Sequence, residues 1–161
     1  MFRAIKVRLY PNKQQEQVIN KILGCYRFVY NHMLALKQQE YNDNKISLSL
    51  CDISKYFHNT LCKDEKYSWI KEQNTHVMKQ SIRQMMSAYD RFFKLHSGFP
   101  KFKTKKDRQS ALFPITAISK SNTFETKHVS LVKSLKNIKF RLSCACFFNL
   151  SSLTDSVTKI I

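Results

Sequence analysis

Glycine and proline are scarce in this chain, with two and three residues among 161. A disordered or low-complexity tail protein would be rich in both and poor in aromatics, so that class is excluded. A glycine-rich phosphate loop is excluded too, because Gly24 and Gly98 stand alone and far apart. Acidic residues are also few. There are 11 Asp and Glu against 28 Lys and Arg, for a formal net charge of +17. That deficit points to a polyanionic partner, nucleic acid ahead of an anionic membrane. No apolar run is long enough to span a bilayer, and the N-terminus lacks a signal-peptide apolar stretch. The expectation is a cytoplasmic protein with no membrane partner, whose Cys25, Cys51, Cys62, Cys144 and Cys146 are free thiols. Cys144-Ala145-Cys146 has neither the two-residue gap nor the second ligand pair of a zinc site. His32, His58, His76, His96 and His128 show no ligand spacing, and no Ser/His/Asp or Cys/His arrangement stands out. No metal, cofactor or small-molecule substrate is therefore expected.

The chain does have enough apolar residues to fold. It is 43% hydrophobic, with twelve Phe and seven Tyr. Residues 2–10 read as a half-buried strand, since Ile5, Val7 and Leu9 alternate with Lys6, Arg8 and Tyr10. Pro11 ends it and Asn12 is placed to cap a helix. Val18, Ile19, Ile22 and Leu23 recur at helical spacing. A second helix is expected from Cys25 to Tyr41, with Gly24 at the join, an arrangement like a helix-turn-helix and equally like half of a bundle. A third helix is expected over 50–62. A fourth begins after Asn74 or Thr75, with Met78, Ile82, Met85, Met86, Tyr89, Phe92 and Phe93 as its stripe. Strands are expected at 111–118 and 136–142, with a weaker one near 128–132. The last twenty residues alternate poorly and read as either a final strand pair or a tail.

Charge is concentrated late. Between Phe92 and Arg141 lie twelve Lys or Arg and only Asp107 and Glu125 as acids. Residues 98–106, Gly-Phe-Pro-Lys-Phe-Lys-Thr-Lys-Lys, form a turn followed by a basic, aromatic-interleaved ribbon. Lysines there neutralise phosphates and phenylalanines stack or anchor; alone, the segment fits a solvated loop as well. Lys101, Lys103, Lys105 and Lys106 are the leading nucleic-acid contacts, and Phe99 and Phe102 are read as structural anchors. The polar side of the fourth helix carries Lys79, Gln80 and Arg83, groups that suit phosphates and base edges. Arg3, Lys6 and Arg8 flank the first strand and are candidates for phosphate contact. Arg27 is a further candidate that reads equally as structural, with Tyr30 and Asn31 read as fixing the helix join.

Several blocks together resemble the N-terminal part of the TnpB (OrfB-type) proteins of insertion sequences. They are Lys6-Val7-Arg8-Leu9-Tyr10-Pro11-Asn12, Gln14 to Gln17, and Gly24-Cys25-Tyr26-Arg27-Phe28-Val29-Tyr30-Asn31. Trp69, the helix from Gln80-Ser81-Ile82 to Ala88-Tyr89 with Phe92-Phe93, and Gly98-Phe99-Pro100-Lys101-Phe102-Lys103 complete the set. The resemblance runs over residues 1–142. It implies an RNA-guided DNA nuclease family whose β-rich wedge is interrupted by a helical recognition domain, both parts gripping guide RNA and reading a short DNA motif. It also implies that Thr75, Lys79, Gln80 and Arg83 lie where the family meets that motif.

The implied fold class is α+β: an N-terminal strand, an inserted four-helix recognition bundle, then a small, incomplete β-barrel-like wedge. In domains, 1–10 is the first wedge strand and 11–97 the recognition part, with the helix-turn-helix at 12–41. Residues 98–142 are the remaining wedge, and 143–161 a divergent or out-of-frame tail. The family's nuclease domain needs carboxylates for two metal ions, yet only Asp155 follows Glu125. Its paired Cys-x-x-Cys zinc ribbon is absent, and the stretch Val129 to Lys139, where the family usually carries Pro and Gly, has Val132 and Leu135. The expectation is a truncated, non-catalytic fragment binding DNA, RNA or both. The alternatives are one half of a split nuclease or a decayed remnant.

Overall fold

The computed structural model describes residues 7–114, 128–142 and 158–160. Strand β1 (Val7–Tyr10) leads into α1 (Lys13–Asn44), and α2 (Leu50–Tyr56) runs on into a π-helical turn (Phe57–Leu61). A 3-10 segment (Glu65–Ile70) precedes α3 (Thr75–Leu95), and four short strands follow: β2 (Ala111–Phe113), β3 (His128–Val129), β4 (Ile138–Leu142) and β5 (Thr158–Ile160). The fold is mixed α and β, with a three-stranded antiparallel sheet in the order β1-β4-β3 and a separate β2-β5 pair. Of the sequence-expected strands, 2–6 and 115–118 lie outside the described residues, as do 143–157 of the expected tail.

Helix α1 starts where the sequence places its cap. The Asn12 side chain accepts from the Gln15 backbone N–H at 2.8 Å, and the Asn12 N–H donates to Gln15 Oε1 at 3.0 Å. This reciprocal pair satisfies two of the donors that a helix start leaves open. The Gln15 amide nitrogen also donates to the Lys136 carbonyl at 2.9 Å, tying the helix start to the turn before β4.

The expected join at Gly24 is corrected. Lys13–Asn44 is one helix of 32 residues, about 48 Å long at 1.5 Å per residue. Gly24 has no positive φ, and a single interior glycine costs a helix only about 1 kcal/mol. Burial of Ile22, Cys25, Tyr26, Val29, Tyr30, Met33 and Leu34 on either side of it outweighs that cost. The expected third helix is shortened: its α-helical part stops at Tyr56, and Phe57 and Leu61 are buried within the π turn.

Helix α3 matches its expected span. Asn74 caps it through the His76 N–H at 2.9 Å, and Val77, Met78, Ser81, Ile82, Met85 and Tyr89 turn inward. The buried Ser81 hydroxyl donates to the Tyr26 carbonyl of α1 at 2.8 Å. Ala111 and Phe113 of β2, with Leu131, Val132, Leu135 and Ile138, complete the same apolar cluster. Val132 and Leu135 bridge each other and are buried, while Asn137 supplies a left-handed φ of 53°. Asparagine tolerates that conformation better than most residues, so the turn closes without glycine.

A β-carbon at Gly24 would meet nothing within 4 Å. Gly24→Ala should therefore stabilise the chain by about 0.5–1 kcal/mol, measured by urea unfolding. A loss of stability would instead fit a break in α1.

Candidate nucleic-acid interface

The ribbon after α3 is placed by its middle, not by its phenylalanines. The Lys103 N–H donates to Asn31 Oδ1 at 2.8 Å, and Asn31 Nδ2 donates to the Lys103 carbonyl at 2.9 Å. The Lys103 ammonium turns inward, 4.2 Å from the Tyr30 ring centroid and 5.8 Å from that of Tyr26, with Gln84 Oε1 at 3.4 Å. A cation over aromatic faces is held electrostatically. Lys103 thus works as an anchor rather than as an outward contact. Asn31 and Tyr30, expected to fix a helix join, fix the ribbon to α1 instead.

The following turn is built on Gln109. Its amide nitrogen donates to the carbonyls of Thr104, Asp107 and Lys105, and its oxygen accepts from Arg27 NH1 at 2.9 Å. The Asp107 carboxylate accepts from the Thr104 N–H at 2.6 Å, and hydrogen bonds from the Thr104 backbone and hydroxyl hold it below the usual carboxylate range. Arg27 is therefore engaged in shaping this turn. Lys101, Lys105 and Lys106 point away, exposed.

On α3, Thr75, Lys79 and Arg83 follow one another at four-residue intervals, which puts them on successive turns of one side. Arg83 is exposed and Thr75, Lys79 and Gln80 are half-buried. Gln80 lies one turn before Gln84, so the ribbon's anchor reaches the edge of this face. Arg91 and Lys94, exposed further along α3, extend the basic surface. Among the described residues Lys79, Arg83, Lys101, Lys105 and Lys106 form no ion pair.

Arg8 is exposed on β1, its guanidinium 5.7 Å from the Tyr10 ring centroid. It faces Arg141 directly across the strand pair, and Tyr10 faces Lys139, which also faces His128. Like charges directly opposite are destabilising unless something screens them. Lys139 and Arg141 were not singled out from the sequence, although their alternation with Ile138 and Phe140 carried the signal of a basic outer face. Arg3 and Lys6 lie outside the described residues.

Other reactive groups are structural. Burial pushes the Cys25 thiol up to about 11 and raises Cys62 as well, so neither is a ready thiolate. Burial also lowers Lys37, whose ammonium caps the Leu48 carbonyl and the Ser47 hydroxyl and sits 5.3 Å from the Tyr89 ring centroid. Among the described residues no three His, Cys, Asp or Glu side chains gather to hold a metal ion, and no helix is long and apolar enough to cross a membrane.

Residues 1–45 match the family described as Helix-turn-helix domain, of the OrfB type. The chain is 27% identical over 142 residues to a candidate RNA-guided DNA endonuclease of Streptomyces pristinaespiralis, covering 88% of this chain and 34% of that protein. It is 25% identical over 112 residues to a candidate RNA-guided DNA endonuclease, InsQ, of Escherichia coli (strain K12), covering 70% of this chain and 28% of that protein. The chain belongs to the TnpB, or OrfB-type, family. It is also 33% identical over 114 residues to the virulence protein VsdF of Salmonella dublin, a match covering 65% of this chain and 95% of VsdF. This OrfB-type chain thus spans about a third of the two endonucleases it matches and nearly all of VsdF. Within the span matching the helix-turn-helix family, residues Lys13–Asn44 are a single helix.

Asn31→Ala should cost about 1–3 kcal/mol, because it leaves the Lys103 N–H and carbonyl without their partner. Chemical denaturation measures the loss. Limited proteolysis should cut first within 98–106 in that variant.

Proposed function

We propose that this OrfB-type segment binds nucleic acid along one run of surface from α3 through the ribbon. Lys101, Lys105 and Lys106 take phosphates, Lys79 and Arg83 add to that grip, and Thr75 and Gln80 approach base edges. Arg8, with Arg141 and Lys139 beside it, supplies a further phosphate contact on the sheet, and Arg3 and Lys6, earlier in the chain, are assigned the same role. The observation that carries this reading is the division of labour in the ribbon. Lys103 serves as an anchor on Tyr30, which leaves Lys101, Lys105 and Lys106 exposed and, among the described residues, without an ion pair. Exposed cations of one sign favour a polyanion, because counterions released from its backbone drive association.

The proposed role is grip without cleavage, by a helical recognition part and a small wedge. A second reading comes from the length comparison. The two matched endonucleases extend well beyond the aligned span, so this segment would serve cleavage when the remainder is supplied. Mixing it with a separately made remainder, guide RNA, target DNA and Mg²⁺ tests that reading, and cleavage only in the complete mixture would support it.

For the first reading, affinity for a mixed-sequence oligonucleotide should fall steeply as salt rises. Replacing Lys101, Lys105 and Lys106 with Ala should reduce the slope of log K against log salt by about 2–3, near one per lost phosphate contact. Gln80→Ala should leave the slope alone and weaken only sequence preference. Nuclease activity with Mg²⁺ should stay at background. Undetectable binding at low salt, or an affinity flat in salt, would overturn the proposal.

A further inference from the structure

The C-terminal end of α3 leaves large apolar side chains in water. Phe93 is 69% exposed, Leu95 71%, Phe99 47% and Phe102 51%. Phe99 and Phe102, expected from the sequence to be anchors, are thus substantially open. A contiguous exposed apolar patch marks an interaction site more often than it marks nothing.

Four of the rings in this region are locked together. Phe92 meets Phe93 edge-on at 5.1 Å and Phe99 edge-on at 5.3 Å. Tyr89 meets Phe99 edge-on at 5.6 Å and stacks on Phe93 at 6.4 Å. Tyr89 is buried and Phe92 half-buried, so the two open rings are each held by the same two supports. Edge-to-face pairs at these distances are the favoured arrangement of aromatic rings. The backbone fixes the same end: His96 closes α3 in a left-handed conformation, φ 49°, and the Arg91 carbonyl accepts from the Ser97 N–H at 3.3 Å. Phe93 and Phe99 therefore face solvent with little rotational freedom to lose on binding.

The surrounding charge selects the occupant. From Arg91 to Lys106 there are six Lys or Arg and no carboxylate. A second copy of the chain would bring like charge against like charge. A neutral apolar segment would strip water from the cations and return nothing. A single nucleic-acid strand meets both demands, because its unpaired bases offer apolar π-faces and its phosphates offer negative charge at close intervals. A duplex hides those faces inside its stack. The patch also continues into the surface proposed above, since Phe99 leads within two residues to Lys101.

We propose that Phe93 and Phe99, braced by Tyr89 and Phe92, form a stacking platform for unpaired bases, with Lys94 and Lys101 on the adjoining phosphates. The inference rests on the nucleic-acid reading and specifies it: the strand at this end of α3 is single. The test uses the full chain with a short oligonucleotide containing 2-aminopurine, offered single-stranded and as a duplex at low salt. The wild-type chain should prefer the single strand and change the 2-aminopurine fluorescence on binding. Phe93→Leu with Phe99→Leu keeps apolar bulk and removes the π-faces. It should lower single-strand affinity about five-fold or more per ring, abolish the preference and the fluorescence change, and leave the salt slope intact. Phe93→Leu alone, at the more open position, keeps the test valid if the double variant fails to fold.

Equal affinity for duplex and single strand, or full wild-type affinity in the leucine variants with a normal salt slope, would overturn the platform while leaving the nucleic-acid reading standing. Absence of any salt-dependent binding by the wild type would overturn both. Ring-dependent binding of polyglutamate as tight as that of the oligonucleotide, or a wild-type dimer in sedimentation that the leucine variants break, would assign the patch to a protein partner instead.

Discussion

Helix α1 lays Tyr26, Val29, Tyr30, Met33 and Leu34 along one side, and α3 answers with Met78, Ser81, Ile82, Met85 and Tyr89. This seam holds the remaining described parts in position. A single buried hydrogen bond, from the Ser81 hydroxyl to the Tyr26 carbonyl, adds direction to a contact that is otherwise apolar and tolerant of sliding. Phe113 and Ala111 pack into the same cluster, so β2 is fixed by the helices as well as by its own pairing. The ribbon between α3 and β2 has both ends set by that seam, and Asn31 holds its middle. The proposed interface therefore lies beside that seam.

Helix capping and amphipathic period were legible because they are local. Asn12 before Lys13, Asn74 before Thr75, and the α3 stripe as far as Tyr89 follow from spacing alone, whereas Phe93, counted in that stripe, is exposed. The fate of Gly24 was not legible, since a glycine that ends a helix and one that sits inside it look alike until the burial on either side is known. The candidate site divides in the same way. Residue type and position ranked Lys103 with Lys105 as leading contacts and Arg27 behind them. Only the fold sets Arg27 and Lys103 apart from Lys105, because Arg27 meets Gln109 and Lys103 meets Tyr30 across more than 70 residues of chain. Lys139 and Arg141 were hidden for a related reason: a short strand's outer face gains meaning only when its neighbour is known to be Arg8.

Membership in the OrfB-type family and a similarity to VsdF that covers nearly all of that protein give the same segment two settings. In one it is about a third of a longer relative, and in the other it matches almost a whole chain. The core described here is consistent with either. It is continuous from the helices to the small sheet, and Val132, Leu135 and Asn137 close the turn before β4.

The Asn31 clamp grips main chain, not side chain. An amide that holds an N–H and a carbonyl does not itself select the side chain between them; at Lys103 that selection falls to the Tyr30 and Tyr26 rings. Length is another matter. One residue added or lost between Gly98 and Lys103 would bring a different peptide unit to Asn31 and move Lys105, Lys106 and the Gln109 turn out of step with α3. Over evolutionary time this loop should behave unlike most loops: strict in count.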